Sequence, residues 1–275
     1  MTDAIPQIFD RKLYLSRQAS TIDTDILQNH IARELEERLS LILKQFPKVL
    51  LVDHRPDALV RMLKSSGKVL DVTAIPPFVG DTLGLPENIY HAAFSILDLH
   101  CVNDVPGYLA QLGRSLKPDG LLMVVFFAGE TLQELRESWL HAEIEMTGGV
   151  TPRVAPMIGV RELGGLMQRA GLALPVADVD KIQLRYDGAL ALVRDIKKFG
   201  YANPLVGRSP KFVSGRLLAS MAAHYNANFS DPDGRVRATL ETAWAMAWRP
   251  HQSQPKPLKP GSASHRLADA LKSQT

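Results

Sequence analysis

The turn "VDHRPDA", residues 52–58, lies between a continuous apolar run and an amphipathic one. This order predicts a buried strand that leads into a helix, which is where an open α/β sheet usually holds a cofactor. Glycines normally fill such a turn, because they let the backbone approach a ligand closely. Here Asp53, His54 and Arg55 stand there instead. Two hypotheses follow: a cofactor site that these side chains weaken, or a turn that caps itself, for example through Asp57, and binds nothing.

Four more residues complete a candidate site at the same edge of the predicted sheet. Asp71 lies near the end of the short apolar run "KVLDV", Asp81 lies in a loop rich in Pro and Gly, and Leu99 and His100 close the apolar run at 91–100. Because the carboxyl ends of parallel strands meet at one edge, we expect these residues and the turn to line one pocket. For both aspartates a local role in a turn stays open.

His100 is the candidate catalytic residue, as a base that takes a proton from an acceptor. Asp104 follows it closely, and for this residue a helix N-cap is an equal alternative to a place in the pocket. The other histidines show no spacing typical of metal ligands, so we expect no metal.

The elements that position these residues alternate between helix and buried strand. Apolar residues at spacings of four and three predict a helix over 23–46. Further patterns predict strands at 48–53, 68–72, 91–100 and 121–129, and helices at 58–63, 105–116 and 131–146. This alternation predicts an α/β fold, with a mostly parallel sheet and helices on both faces.

The predicted organisation is one large domain with two extensions. Residues 1–22 form an N-terminal arm, residues 23–249 the domain, and residues 250–275 a tail rich in Pro and Ser. Within the domain, residues 187–227 read as a late helical insertion, and a strand at 235–248 then returns to the sheet edge.

Composition excludes several classes of protein. The 275 residues are 45% hydrophobic and 22% charged, with a net charge of +3, and Cys101 is the only cysteine. A single cysteine forms no intrachain disulfide or thiolate zinc cluster. Basic residues alternate with acidic ones, which argues against nucleic-acid binding. No apolar run has the length of a membrane span, and the first residues lack the apolar core of a signal peptide, so we expect a cytoplasmic protein.

Residues 94–136, "FSILDLHCVNDVPGYLAQLGRSLKPDGLLMVVFFAGETLQELR", resemble the class I methyltransferases of type 11. The similarity is to the branch that holds a mitochondrial complex I assembly factor of arginine-hydroxylase type and a malonyl-carrier-protein methyltransferase of biotin synthesis. It continues in "FDR" at 9–11, "LGGLMQRAGL" at 163–172 and the tail "WRPHQSQPKPLKPGSA" at 248–263. The resemblance implies a Rossmann-like methyltransferase fold.

The same resemblance implies S-adenosylmethionine (SAM) as cofactor and assigns the candidate residues. The family's glycine positions fall on Asp53, Arg55 and Asp57, the ribose-binding acid on Asp71 and the adenine-contacting residue on Asp81. Side chains in place of glycines predict SAM binding that is weak or lost.

Two functions therefore stand side by side. One is a SAM-dependent methyltransferase-like enzyme that acts on a protein or small-molecule acceptor. The other is a non-catalytic or hydroxylase-like assembly factor, whose partners would be subunits of respiratory complex I.

Overall fold

The computed structural model describes residues 6–21 and 26–255. Within these ranges, six strands form one sheet in the order β2-β1-β3-β4-β6-β5; they are β1 (Lys48–Val52), β2 (Asp71–Ile75), β3 (Tyr90–Ile96), β4 (Leu116–Phe127), β5 (Ala173–Tyr186) and β6 (Val236–Trp248). Strands β1 to β4 pair in parallel, and β6 runs antiparallel to both β4 and β5. The predicted α/β class with a mostly parallel sheet is confirmed.

Helices cover both faces of this sheet; they are α1 (Arg11–Ala19), α2 (Ile26–Ser40), α3 (Asp57–Ser65), α4 (Val105–Ser115), α5 (Gln133–Thr147), α6 (Val160–Arg169), α7 (Ala189–Lys198) and α8 (Gly215–Phe229). Alternate residues of β1 point to opposite faces. Val49 and Leu51 pack against α2 and α3, whereas Leu50 and Val52 pack in the core that holds α4 and α6. Both faces of the strand are thus buried, as a continuous apolar run predicts.

Helix α2 is shorter than its apolar pattern predicts. It ends at Ser40, where the Lys68 ammonium donates to the carbonyls of Leu39 and Ile42 and so stabilises the end of the helix. Leu43, which continues the pattern, is 94% exposed. The predicted start of the helix at residue 23 lies outside the described residues.

Strand β2 is displaced along the chain from its predicted position. It begins at Asp71 and ends at Ile75, and these residues pair with Lys48 and Val52 of β1. The β-branched segment "DVTAI" forms the strand, and Leu70 of the apolar run "KVL" is exposed instead. The placement of Asp71 at the carboxyl end of a strand is therefore wrong, because Asp71 lies at the amino end.

Strand β6 lies inside the sheet, and the prediction that it would form the edge is wrong. Ala245 pairs with Val124 of β4 on one side and with Ala177 of β5 on the other. Nine of the thirteen residues of β6 are buried and the other four are half-buried, which small alanine side chains permit under helices on both faces. Before β6 the chain forms α7 and α8, which pack with α5 in a cluster of their own.

Over the described ranges, no helix combines the length and apolar character needed to cross a membrane.

Candidate functional site

The first described residues lie across the carboxyl edge of the sheet. Asp10 caps α1 by accepting the Leu13 backbone N–H at 3.0 Å. The Asn103 side-chain oxygen accepts the backbone N–H groups of Ile8 and Phe9 at 2.9 and 2.8 Å. These bonds fix the arm over the carboxyl edge of the sheet, and helix α1 lies within the segment that the sequence predicted only as an arm, residues 1–22.

Arg11 joins this arm to the interior of the protein. Its Nη1 and Nη2 donate to Oδ1 and Oδ2 of Asp98 at 2.7 and 3.1 Å, in a bidentate ion pair. Its Nε and Nη2 also donate to the Phe78 carbonyl at 3.1 and 2.6 Å. Arg11 is 9% exposed and Asp98 is fully buried. The guanidinium thus connects the end of β3 to the loop after β2, and charge-assisted bonds of this kind are strong.

Little space remains beside Arg11 where the sequence predicted an adenine contact. The cavity there has a volume of about 10 Å³ and is lined by Phe78, Asp81 and Tyr108, among others. This volume holds about one water molecule. Asp81 lines this small cavity, and its backbone carbonyl accepts from the Gln111 side chain at 2.7 Å.

The glycine-free turn is stabilised by its own first residue. Asp53 Oδ1 accepts the Arg55 backbone N–H at 3.2 Å and the Gln28 amide at 3.4 Å, which is an Asx-type turn. Pro56 stands at the N-cap of α3 without a side-chain bond, and Asp57 lies in the first turn of the helix. The turn thus bonds to itself through Asp53, whereas Asp57, the example of a cap in the second hypothesis, is the first residue of α3 and not its N-cap. Burial raises the pKa of Asp53 to about 6.

A half-buried imidazole, His54, and a buried one, His100, flank Tyr14 of α1. The tyrosine ring meets His54 edge-on at 5.4 Å between centroids and His100 at 5.7 Å. His100 also contacts Phe127 at 4.9 Å and Tyr201 at 6.0 Å. Burial lowers the pKa of His54 to about 4 and that of His100 to about 3, so both rings are neutral at neutral pH. A base of such low pKa accepts a proton weakly.

The structure brings together some of the candidate residues and separates others. His54 and His100 converge on Tyr14, and Asp53 precedes His54 in the turn. The atoms Asp53 Oδ2, His54 Nε2 and His100 Nδ1 are buried without a hydrogen-bond partner in the described ranges. Leu99 is buried in the hydrophobic core.

Asp71, at the amino end of β2, lies on the opposite edge of the sheet from this cluster. Ile75, followed by Pro76, takes the carboxyl end of β2, where the ribose-binding acid was expected. The ribose contact assigned to Asp71 therefore loses its geometric basis. Asp104 caps α4 by accepting the Gly107 N–H at 2.9 Å, which agrees with its alternative role.

A large cavity opens beside the cluster, between the sheet edge and the helical insertion. Its volume is about 690 Å³, which is in the usual range for ligand pockets. His100, Phe127 and Tyr201 contribute aromatic rings to its wall, and Leu184 and Leu240 contribute aliphatic side chains.

Few charged side chains line this cavity. Arg153 is paired with Glu143 at 2.7 Å. Asp195 of α7 has no ion-pair partner among residues 6–21 and 26–255. Together with burial, Asp195 raises the pKa of the neighbouring Tyr186 hydroxyl. The cavity is therefore an apolar pocket whose wall carries one acidic group, Asp195, and two arginines, Arg33 and the paired Arg153.

Sequence reasoning missed Arg11, Asp98 and Asp195. For the first two a signal was present, since "FDR" ends in an arginine and an acid follows directly after the apolar run of β3. For Asp195 no signal was available, because only the tertiary packing of α7 places it at the cavity.

The strand order, the antiparallel β6 and the pocket at the carboxyl edge define a class I methyltransferase-like protein. A solved structure described as a methyltransferase of Bacillus halodurans superposes with a TM-score of 0.52, over 79% of this chain and 98% of that chain. The two sequences are 12% identical, so this likeness shows the fold alone.

Sequence comparison narrows the class. The protein named "Arginine-hydroxylase NDUFAF5, mitochondrial" of Danio rerio is 32% identical in an alignment of 289 residues. The alignment covers 96% of this chain and 90% of that protein. Its Homo sapiens counterpart is 31% identical, over 94% and 81% of the two chains. The chain belongs to the NDUFAF5 arginine-hydroxylase family.

The chain is also similar, over a shorter stretch, to the malonyl-carrier-protein methyltransferases, the second group that its sequence resembles. The malonyl-[acyl-carrier protein] O-methyltransferase of Halorhodospira halophila is 35% identical over 166 residues, 60% of this chain and 54% of that protein. No protein-family profile matches the chain.

Proposed function

We propose that this protein works without SAM and receives an arginyl side chain of a protein partner in the 690 Å³ cavity. One observation carries the proposal: Arg11 closes the adenosine side of the edge, while the acceptor side next to it stays open. The relatives' name, arginine-hydroxylase, supplies the chemical class of the acceptor.

Closure by Arg11 opposes SAM binding energetically. An adenosyl group needs the volume that the guanidinium fills, so the cofactor would have to withdraw Arg11 from Asp98. Breaking a buried ion pair and leaving one charge unpaired costs about 3–5 kcal/mol. A penalty of that size weakens binding about 10²- to 10⁴-fold. The glycine-free turn and Ile75 in place of an acid add to this, so we infer that SAM does not fit the arrangement.

The cavity suits an arginine for three reasons. Its aliphatic side chains can cover the methylene stem. The Asp195 carboxylate can accept two parallel bonds from a guanidinium. The rings of Phe127 and Tyr201 offer π faces to a cation, and the neutral His100 does not repel one.

For the partner, the family resemblance favours a protein subunit of respiratory complex I. The relatives' names place those proteins in mitochondria. For this chain a cytoplasmic location remains our prediction, which cell fractionation with an antibody to the chain tests.

A second function, SAM-dependent methyl transfer, has one specific observation in its favour. The buried atoms Asp53 Oδ2 and His54 Nε2, after β1, and His100 Nδ1, after β3, have no hydrogen-bond partner among the described residues, and a small polar ligand would satisfy them. This function requires α1 to leave the edge first.

Titration of the full chain separates the two functions. We expect no heat with SAM or S-adenosylhomocysteine at about millimolar concentration, the weak end of the specific range. We expect N-acetyl-L-arginine methylamide to shift NMR signals of the cavity residues. Asp195→Asn should weaken that binding at least about fivefold, roughly 1 kcal/mol. Asp187→Asn, an acid of the same region that is 90% exposed, should leave it unchanged. Micromolar binding of SAM, or equal arginine affinity in both variants, would overturn the proposal.

A further inference from the structure

A cluster of potential metal ligands lies at the cavity, apart from the SAM edge. We propose that His30, Glu34 and Asp180 bind a divalent transition metal such as Zn²⁺, Mn²⁺ or Fe²⁺. One ligand atom from each residue lies within 4.8 Å of the other two. Ligand atoms about 2.0–2.2 Å from a tetrahedral ion lie about 3.3–3.6 Å apart, so rotamer changes that bring the widest pair together by up to about 1.5 Å close the site.

Two elements position these side chains. His30 and Glu34 are four residues apart on α2 and therefore lie on the same face, one turn from each other. Asp180 faces them from β5, the edge strand of the sheet. Because a helix and a strand each hold part of the cluster, the geometry is set by the fold and not by a loop.

The His30 ring points at Asp180 without bonding to it. Its Nε2 lies 3.4 Å from Asp180 Oδ2, yet this buried nitrogen makes no hydrogen bond to the described residues. The His30 and Asp180 side chains are 20% and 34% exposed, so an ion can reach them. His30 also lines the large cavity, which places one side of the cluster on that space.

The ligand types select the class of metal. An imidazole favours transition metals over Ca²⁺ and Mg²⁺, and carboxylates suit Zn²⁺, Mn²⁺ and Fe²⁺. Three protein ligands leave coordination positions for water or for a bound molecule. The expectation of no metal rested on histidine spacing, which does not reveal an aspartate on a strand far along the chain.

Neighbouring arginines compete with the ion. Arg33 Nη2 lies 3.0 Å from His30 Nδ1, and Arg38 binds Glu34 at 2.6 Å. Because a guanidinium only donates, Nδ1 is the acceptor and Nε2 carries the proton in the neutral ring. A metal on Nε2 needs the other tautomer, so Arg33 must release His30. Arg33 is exposed and free to move away. Metal binding and the Arg33–His30 bond are therefore mutually exclusive.

The test is a pair of titrations of the untagged, metal-free full chain. In one, visible absorption detects bound Co²⁺; in the other, electron paramagnetic resonance detects bound Mn²⁺. We expect one equivalent to bind. His30→Gln and Asp180→Asn should each weaken binding at least tenfold, and Arg33→Gln should tighten it several-fold. Thermal melting of each variant checks that it is folded.

Matched controls separate this site from surface binding. His141→Gln removes an exposed histidine next to Glu145, and Asp187→Asn removes a 90% exposed acid just after β5. Both controls should bind like the wild type. Absence of stoichiometric binding would overturn the proposal, as would equal affinity in wild type, His30→Gln and Asp180→Asn. The test does not depend on arginine binding, so each proposal can fail alone.

Discussion

Arg11 and Asp98, 87 residues apart in the chain, form a bidentate ion pair that is almost wholly removed from solvent. Arg11 belongs to the arm and Asp98 to the end of β3, so the pair fixes α1 over the carboxyl edge. In methyltransferase-like proteins this edge receives the nucleotide part of a cofactor. The same interaction thus serves the stability of the fold and decides which part of the edge is open.

Removal of one partner from this pair should be costly. Arg11→Met leaves the Asp98 carboxylate buried and unpaired, and we expect a loss of about 3–5 kcal/mol in the free energy of unfolding. Urea denaturation measures it. The double variant Arg11→Met with Asp98→Leu should recover most of the loss, because no unpaired charge remains.

An exposed pair provides the control for this prediction. Arg235→Met breaks the contact between Arg235 and Asp187, whose side chains are respectively 56% and 90% exposed. This change should lower the free energy of unfolding by less than about 1 kcal/mol. Equal losses in the two single variants would contradict a special role for the buried pair.

The buried imidazoles should make the protein sensitive to acid. His54 and His100 have pKa values of about 4 and 3 in the folded state, below the ordinary 6.5. The unfolded chain binds protons first, so stability is full above pH ~6.5 and falls as the pH drops toward 4 and 3. His100→Leu should flatten the dependence of Tm on pH in this window. His251→Gln, an exposed histidine, should not change it. An unchanged slope in His100→Leu would show that the acid sensitivity lies elsewhere.

The Asp53 carboxyl group should have the opposite effect on how the stability of the protein depends on pH. Its folded pKa of about 6 is above the ordinary 3.8, so its charged form destabilises the folded protein at neutral pH, and the penalty fades as the pH falls from 6 toward 4. Asp53→Asn keeps an oxygen for the Arg55 N–H and should stabilise the protein by up to about 3 kcal/mol above pH 7. Denaturant unfolding between pH 5 and 8 measures this gain. A variant that is less stable than the wild type at pH 7.5 would contradict the prediction.

Gly200 links the insertion to the arm through a close backbone contact. Its φ is +78°, and an added Cβ would lie 2.8 Å from the Arg17 carbonyl oxygen. Gly200→Ala should therefore destabilise the protein by strain and by this clash. Gly67→Ala, with φ +70° and open space around it, carries the strain alone, about 1–2 kcal/mol. Thermal melts should show a larger loss for Gly200→Ala, and equal losses would mean that the contact relaxes without cost.

The alternation of elements was enough to predict the fold, because buried strands and amphipathic helices differ in period and length. Boundaries were harder. The apolar run at 68–72 resembles a strand, yet "DVTAI" takes that place because β1 accepts the β-branched residues as its neighbours. The predicted strand thus began three residues too early, and for this reason the prediction placed Asp71 at the carboxyl edge of the sheet instead of the amino edge.

The sequence predicted only those candidate site residues that lie shortly after a predicted strand. Asp53, His54 and His100 follow strands directly, and they do meet at one edge. Arg11, Asp180 and Asp195 reach the edge or the cavity through contacts between elements far apart in sequence. Periodicity reports which face of an element is buried but not which distant element packs there.

The place of β6 inside the sheet sets an order for folding during synthesis. β5 pairs only with β6, and β6 is the last described strand to leave the ribosome. β5 can therefore join the sheet only after β6 has been synthesised, whereas Arg11 and Asp98 are both synthesised much earlier. A nascent chain can close the nucleotide side of its edge before the wall of the large cavity exists, so a ligand of that side that arrives after translation has to displace Arg11 from Asp98.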